Sequence, residues 1–232
     1  MKIEHCIQGT AEWFQARCGR VTASRINEVT AYLKNGKESQ KRIDYRTELI
    51  AEILTGEALP HYVSPAMQWG NEQEAIARVE YELATGSDVE QAGFIYHPSI
   101  ERAGASPDGL IGTDGGLEIK CPNTTTHIEW ILAGVVPEEH RAQMFFNLRC
   151  SEREWWDFVS FDPRLPKRYQ LFARRLHADE AIMESIDAEV IKFLSEADAV
   201  ISELNKQMPA LEATQSQALE GGLTEADFAG LV

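Results

Sequence analysis

Three residues of this chain have the types and spacing to do chemistry together: Asp108, Glu118 and Lys120. Asp108 closes the segment "SPD". The glycine-rich stretch "GLIGTDGG" follows it, and then "LEIK", in which Glu118 and Lys120 flank Ile119. Side chains alternate faces along a strand, so Leu117 and Ile119 point one way while Glu118 and Lys120 point the other. The apolar pair can anchor the strand in a core, leaving a carboxylate and an ammonium side by side. The intervening turn predicts a hairpin that returns the chain and sets Asp108 beside Glu118. Two close carboxylates repel unless a cation lies between them. A hard ion such as Mg²⁺ suits oxygen ligands and retains waters and phosphate. Lys120 could orient and help deprotonate an attacking water, its pKa brought down from an ordinary ~10.4 by the ion and by desolvation. Together these parts suffice to hydrolyse a phosphodiester. The same residues also read as a turn former and an exposed ion pair on a half-solvated sheet, and Pro-Asp followed by Glu-x-Lys is too degenerate a pattern to choose.

The elements that must position this trio are legible from periodicity and punctuation. "TAEWFQARCG" predicts a short helix from an N-cap at Thr10 to Gly19, and "VTASRINEVTAYL" predicts another, capped by Thr22 or Ser24. "RIDYRTELIAEILTG" has apolar residues at helical spacing and a closing Gly56. "SPAMQWGNEQEAIARVEYELATG" is entered through Pro65 and ended by Gly86. Short strands follow in "VEQAGFIYH", "RAGAS" and "GLEIKC". Helices return in "TTTHIEWILAG" and "PEEHRAQMFFNLRC". "EWWDFVSFD" and "KRYQLFARRLH" read as two more strands, and a long helix covers about 179–205. Strands mid-chain with helices at both ends predict an α/β fold with one central mixed β-sheet flanked by helices, forming a single domain over 1–206. The remainder, 207–232, reads as a flexible acidic tail in which "TEADFAGLV" is a terminal helical turn or docking peptide.

The chain has 232 residues, 44% hydrophobic and 25% charged, with a net charge of -15. That balance argues against a protein that coats nucleic acid non-specifically, although a local field can oppose the global one. Such a local field is suggested by "LKNGKESQKRIDYR", which carries Lys34, Lys37, Lys41, Arg42 and Arg46, whereas the chain from Asp179 onward is strongly acidic. No apolar run approaches bilayer length and no secretory h-region opens the sequence, so the expectation is a cytoplasmic protein without a membrane partner. Cys6, Cys18, Cys121 and Cys150 are far apart and read as reduced thiols. The six histidines show no i, i+4 pairing, so no histidine metal site is expected. Trp155–Trp156 and Phe145–Phe146 read as sheet packing.

"SPDGL" through "LEIKCP" resembles the catalytic core of the PD-(D/E)xK nuclease superfamily. More of the chain is similar to the phage lambda exonuclease group, the YqaJ-type viral recombinase nucleases. W-x-x-x-R-x-G-x-V-T-A-S at Trp13–Ser24, "WGNEQE" at Trp69–Glu74, Ala142–Gln143 and "FDP" at Phe161–Pro163 occur in the group's order. The resemblance implies a restriction-endonuclease-like fold and a Mg²⁺-dependent exonuclease, with Mn²⁺ as a substitute ion. Such an enzyme loads on double-stranded DNA ends and digests one strand 5′→3′ to mononucleotides, leaving a 3′ single strand. It further implies a homotrimeric ring, a single-strand annealing protein as partner, and a phage or prophage source acting in a bacterial host.

Carried over residue by residue, Asp108 and Glu118 match metal ligands, with the Ile119 carbonyl as a third. Lys120 matches the lysine that assists the attacking water, and Glu74 an acidic residue from the preceding helix. Arg17, Ser24, Ser106 and Gln143 match the positions that hold a 5′-terminal phosphate, for which a guanidinium fork with hydroxyl and amide donors is sensible chemistry. Lys34 falls where the group uses an arginine that tracks DNA, and lysine gives up that planar fork. Met67 falls where an apolar wedge parts the strands. Structural alternatives stand beside these: Glu74 as a solvated helix carboxylate, Arg17 in a surface salt bridge, Ser24 as an N-cap and Met67 as core packing. Lys37, Lys41 and Arg42 would line the ring's channel. The rival functions are a PD-(D/E)xK endonuclease of restriction or repair type, and a DNA-end binding protein without activity.

Overall fold

The computed structural model describes residues 1–60 and 64–208. It divides into two compact units, Met1–Leu194 and Ser195–Val232. Of the expected tail, 207–232, all but Gln207 and Met208 lies outside the described residues.

In chain order the elements are β1 (Lys2–Glu4), α1 (Ala11–Arg17), β2 (Val21–Thr22), a 3-10 turn (Ala23–Arg25), α2 (Ile26–Val29), α3 (Gln40–Thr55), α4 (Pro65–Thr85), β3 (Val89–Glu90), β4 (Phe94–Tyr96), β5 (Ala103–Ala105), β6 (Gly109–Ile111), β7 (Gly115–Lys120), α5 (Thr124–Ala133), α6 (Glu138–Ser151), β8 (Trp155–Phe161), a second 3-10 turn (Lys167–Tyr169), β9 (Leu171–His177) and α7 (Glu180–Gln207). Several boundaries follow from local chemistry. Thr10 caps α1 by accepting from the Trp13 N–H, and Ser39 caps α3 by accepting from Arg42 N–H. Asn123 does the same for α5. Gly56 ends α3 in the left-handed region at φ 71°, which a glycine enters without strain.

The central sheet has the order β3-β6-β7-β8-β9 and is mixed, with β7 and β8 parallel and the other pairs antiparallel. A parallel pair needs a long crossover, and α5 and α6 supply it. Leu117, Ile119, Val159 and Phe161 on one face of the sheet pack with Ala77 and Tyr81 of α4. Trp156, Phe158, Phe172 and Leu176 pack on the other face with residues of α6 and the first half of α7. Both faces are therefore covered. β7 and β8 read accordingly as almost continuous buried runs rather than as alternating strands.

The expectation of one sheet is extended by a second, four-stranded one, β1-β4-β5-β2. β1 was not expected at all. The single helix expected over "VTASRINEVTAYL" is also replaced. Val21 and Thr22 pair in parallel with Ala103 and Gly104, the Tyr45 hydroxyl accepts from the Thr22 N–H at 3.3 Å, and helix resumes only at Ile26–Val29. β-branched Val and Thr lose little by leaving a helix, and the edge of β5 offers them backbone partners.

Two glycines set how closely β7 and β8 lie. A Cβ on Gly115 or Gly116 would stand 2.0 Å or 2.2 Å from the Trp155 or Trp156 ring. Trp156 is fully buried and cannot retreat. Gly116→Ala is expected to lower stability by on the order of 1–3 kcal/mol through overpacking. The check is a lower urea midpoint with an unchanged slope; an unshifted midpoint would mean that the indole has room to move.

Candidate active site

β6 and β7 pair with Gly109 opposite Leu117, and one residue further along the same register sets Asp108 opposite Glu118. The hairpin thus brings together the two acids that are separated in sequence by "GLIGTDGGL". Arg153 holds its turn from outside, Nη1 donating to the carbonyls of Ile111, Gly112 and Gly115 at 3.1, 3.0 and 2.6 Å. Asp108 Oδ2 accepts from the Ile119 N–H at 2.6 Å, tying its carboxyl to the strand that carries the other two residues.

Glu118 is 1% exposed, so it does not belong to a half-solvated surface pair. A buried carboxylate needs partners, and it has three. Lys120 Nζ donates to Oε1, Gln143 Nε2 to the same oxygen at 2.6 Å, and Asn147 Nδ2 to Oε2 at 3.0 Å. Gln143 and Asn147 stand four apart on α6 and so share one face of it. Lys120 keeps a side-chain exposure of 30% while its ammonium pairs with Glu118. Its pKa was expected to fall; in the protein alone it is raised. Burial acts to lower it, but the charges of Glu118, Asp108 and Glu74 and the Glu118 hydrogen bond outweigh burial.

Glu74, on α4, is half-buried and accepts from Arg78 Nη2 at 2.6 Å. Burial pushes its pKa up, against the pull of Arg78 and Lys120, and Glu118 adds to the rise. Glu74 is therefore within electrostatic reach of the trio rather than an isolated solvated carboxylate. Asp108 lies well above the usual carboxylate range, first through burial and then through Glu118 and Glu74, with Lys120 and the Ile119 N–H opposing.

This crowding of carboxylates fits a hard divalent cation, which would relieve the repulsion that raises Asp108. Among the described residues no three His, Cys, Asp or Glu side chains are grouped closely enough to hold an ion alone. Mg²⁺ normally takes one or two carboxylates and completes its shell with water and substrate phosphate. Asp108, Glu118 and the Ile119 carbonyl are donors of that kind.

A second cluster lies two residues upstream of Asp108. Arg17 Nη1 donates to Ser106 Oγ at 3.1 Å, and Nη2 reaches Thr22 Oγ1 at 3.4 Å and Ser24 Oγ at 3.3 Å. Trp13 Nε1 donates to the same Ser106 hydroxyl at 2.9 Å, and its ring lies under the guanidinium at 4.3 Å. Arg17 therefore faces hydroxyls rather than an acid, and Ser24 makes no cap contact; the 3-10 turn is entered from Thr22 without a side-chain bond. Arg17, Ser24 and Glu74 all line one cleft of ≈ 950 Å³, together with Trp13, Thr22 and Arg78. Asp108, Glu118 and Lys120 are not among its lining residues.

Gln143 departs from the expected set, because its amide is used on Glu118 rather than on the Arg17 cluster. Lys34 is exposed in the turn between Tyr32 and Glu38, which form an isolated bridge. The Met67 side chain lies outside the described residues. Arg42 cannot line a channel: it is fully buried, donates to the Val29 carbonyl at 2.8 Å, pairs with Glu38, and stacks over Tyr32 and Phe193. Lys37 and Lys41 are exposed. Trp13, Thr22, Arg78 and Asn147 were not anticipated. Trp13 and Thr22 lie inside the Trp13–Ser24 motif, which was the available signal for them. Asn147 had none beyond its spacing from Gln143.

The family model of the YqaJ-like viral recombinase domain matches residues 12–154. Two solved structures of LHK-Exo, an alkaline exonuclease from Laribacter hongkongensis, are similar to the chain. One, in complex with dAMP, is 44% identical with TM-score 0.79, and the other is 45% identical with TM-score 0.78. Each comparison covers 85% of this chain and 97% of the other. A phage-related exonuclease from Haemophilus somnus 129PT is 16% identical with TM-score 0.62, over 80% of this chain and 96% of that one, and shares the fold. That fold, a mixed sheet flanked by helices, is the PD-(D/E)xK restriction-endonuclease-like one. No curated protein matches.

His140, in the first turn of α6, stacks on Phe158 with ring centroids 5.3 Å apart and meets Trp130 edge-on at 5.3 Å. Burial first, and then the Lys120 charge, pull its imidazole from 6.5 down to about 4. Between those values the unfolded chain binds a proton that the native state refuses, so stability is full above this window and is lost as pH falls through it. His140→Phe keeps the ring contacts and removes the titration. It is expected to lose on the order of 1–2 kcal/mol less than wild type between neutral pH and pH ~4, allowing for solvent screening. Urea midpoints of the metal-free proteins across that range check this; parallel declines would count against it.

Proposed function

The chain belongs to the YqaJ-like viral recombinase domain family, and we propose that it is a DNA exonuclease that hydrolyses phosphodiesters at the ends of double-stranded DNA. The observation that carries this reading is the link through Ser106. Its hydroxyl belongs to the Arg17 cluster, and two residues later the chain reaches Asp108 at the carboxylate site. A pocket for a terminal phosphate and a hydrolytic centre are then separated by at most roughly 7 Å of chain, a short reach that suits removal of nucleotides from an end.

In this reading Asp108, Glu118 and the Ile119 carbonyl hold Mg²⁺, with Mn²⁺ as a substitute. The ion would supply an activated water and offset charge on the phosphate and the leaving oxygen. The chain's own residues do the positioning. Gln143 and Asn147 fix the Glu118 carboxylate so that it cannot rotate away. Lys120, anchored to Glu118, presents its ammonium to the attacking water and to the phosphate. Glu74, paired with Arg78, adds negative charge at the edge of the site, where it steadies Lys120. Arg17 offers a fork to a 5′-phosphate, with Ser24 and Ser106 completing it.

The finer reading rests on family resemblance. Digestion runs 5′→3′ and leaves a 3′ single strand for a single-strand annealing protein. Three copies form a ring around DNA, with Lys34 tracking the duplex and Met67 parting its strands. The source is a phage or prophage, and the enzyme acts in the host cytoplasm. Domain 1–206 performs the reaction.

The test is digestion of a linear duplex labelled on one strand, with and without Mg²⁺, and with 5′-phosphate or 5′-hydroxyl ends. Wild type is expected to degrade the 5′-phosphorylated strand only with the metal and to spare a covalently closed circle. Cutting of the circle would favour an endonuclease. Asp108→Asn and Lys120→Gln are each expected to lose at least about 10²–10³-fold in rate while still binding DNA ends. Arg17→Gln is expected to lose about tenfold of the preference for a 5′-phosphate. Full-rate digestion by Asp108→Asn would remove the catalytic assignment.

A further inference from the structure

The "FDP" segment, Phe161–Pro163, takes part in neither the carboxylate site nor the Arg17 cluster. Its role becomes visible one residue later. Asp162 is fully buried, and Arg164 closes over it: the Arg164 backbone N–H and Nε both donate to Oδ1, at 3.0 and 2.6 Å. Burial works to raise the Asp162 pKa, but the bonds from Arg164 and Thr124 hold it below the usual range. Arg164 Nη2 donates to the Pro122 carbonyl at 2.8 Å, and its guanidinium lies over the Trp69 ring at 4.3 Å.

These contacts put the guanidinium beside the exit of the catalytic strand, since Pro122 is only two residues beyond Lys120. Helix α4 approaches the same place: a Cβ built on Gly70, next to Trp69, would stand 3.8 Å from the Cys121 carbonyl. The side chain of Arg164 is nevertheless 46% exposed, and among the described residues nothing accepts from its Nη1. An arginine normally loses rotamer freedom when it grips an anion. Here the carboxylate, the carbonyl and the indole have already fixed the plane and left one edge of N–H donors facing outward. The segment that follows, "PRLPKRYQ", carries Arg164, Lys167 and Arg168 and no acid, in a chain of net charge -15. Lys167 is paired with Glu80 at 2.6 Å, while Arg168 rests on the Tyr169 ring at 4.5 Å.

We infer that Arg164, held by Asp162, Pro122 and Trp69, is a preset clamp for the DNA sugar-phosphate backbone beside the scissile phosphate, with Arg168 extending the contact. This rests on the nuclease reading above and adds a binding contact to it. A phosphate is the ligand whose geometry suits the free edge of a guanidinium. A contact of this kind carries no sequence information but releases counterions, so its signature is the salt dependence of binding.

The test compares full-length wild type, Arg164→Gln and the double variant Asp162→Asn/Arg164→Gln. The double variant removes the buried charge together with its partner, so lost affinity is not confused with a misfolded loop. Binding of a 5′-phosphorylated duplex in EDTA is measured by anisotropy across KCl concentrations, and digestion kinetics are measured with Mg²⁺. Both variants are expected to bind about tenfold more weakly at low salt, whatever the sequence. The slope of log affinity against log salt should be shallower by about 1, and KM should rise while kcat is largely kept. A double variant that melts like wild type and binds with an unchanged slope overturns the clamp and leaves Arg164 as a cap on Asp162. Wild type that binds no duplex overturns the nuclease reading, and the clamp with it.

Discussion

The burial of Glu118 is the constraint from which much of the remaining architecture follows. A carboxylate with 1% of its surface exposed is expensive unless charge and hydrogen bonds replace water. One partner, Lys120, comes from the same strand. The other two, Gln143 and Asn147, can reach it only if α6 lies across β7. That placement is consistent with the connection between β7 and β8, which must be a crossover because the two strands are parallel. Helix α6 is part of the crossover, so the covalent path that makes the pair parallel also delivers the amides. The opposite face of β7 is then left to Leu117 and Ile119, which α4 covers. One strand thus separates an apolar interface from a charged one, and the alternation of its side chains is what divides them.

The same arrangement puts Asp108 under tension. It faces Glu118 across the hairpin, feels Glu74 from α4, and is held well above the ordinary carboxylate range by burial and those charges. Among the described residues Asp108 accepts one hydrogen bond, from the Ile119 N–H, whereas Glu118 accepts three. The two acids are therefore unequal. Glu118 is held by three donors; Asp108 is compensated only in part, by the Lys120 charge and the Ile119 N–H. Such asymmetry is what a cation-binding pair requires, with one ligand held rigid and another whose repulsion the ion relieves. A fully compensated pair would be more stable and would have less to gain from a metal.

The catalytic strand was readable from sequence because its information is local: the period of two in "LEIK" and the turn chemistry before it. Helices α3 and α4 were readable for the same reason, their ends marked by Gly56, Pro65 and Gly86. The second sheet was legible only in part: "VEQAGFIYH" and "RAGAS" contain β4 and β5, but β1 and β2 gave no signal. Its strands are two or three residues long, too short to show a period, and β2 exists because Tyr45 and the β5 edge take up its backbone groups. The partners of Glu118 were equally hidden. Gln143 and Asn147 lie on one face of α6 at a spacing of four, and in sequence that pattern is indistinguishable from a solvated stripe. Gln143 illustrates the limit from the other side. Its place in a recurring motif pointed to the phosphate cluster, and the fold gives its amide to the carboxylate instead.

Charge density along the chain is a poor guide to charge available at the surface. The most basic stretch, Lys34 to Arg46, attracts attention in an acidic protein, yet Arg42 is buried beneath Tyr32 and Phe193, and Arg42 and Arg46 both bind Glu38. Two of its five cations thus serve the packing of α3. Arg17 is the converse case. Its immediate sequence neighbours are neutral, and in the fold its guanidinium donates to hydroxyls rather than to a carboxylate, so it is oriented without an ion pair. Hydroxyls can accept from an arginine and still turn to donate to an incoming anion; carboxylates cannot. The capacity of this acidic chain to meet a polyanion therefore depends less on how many cations it has than on whether the neighbours that hold each cation in place also cancel its charge.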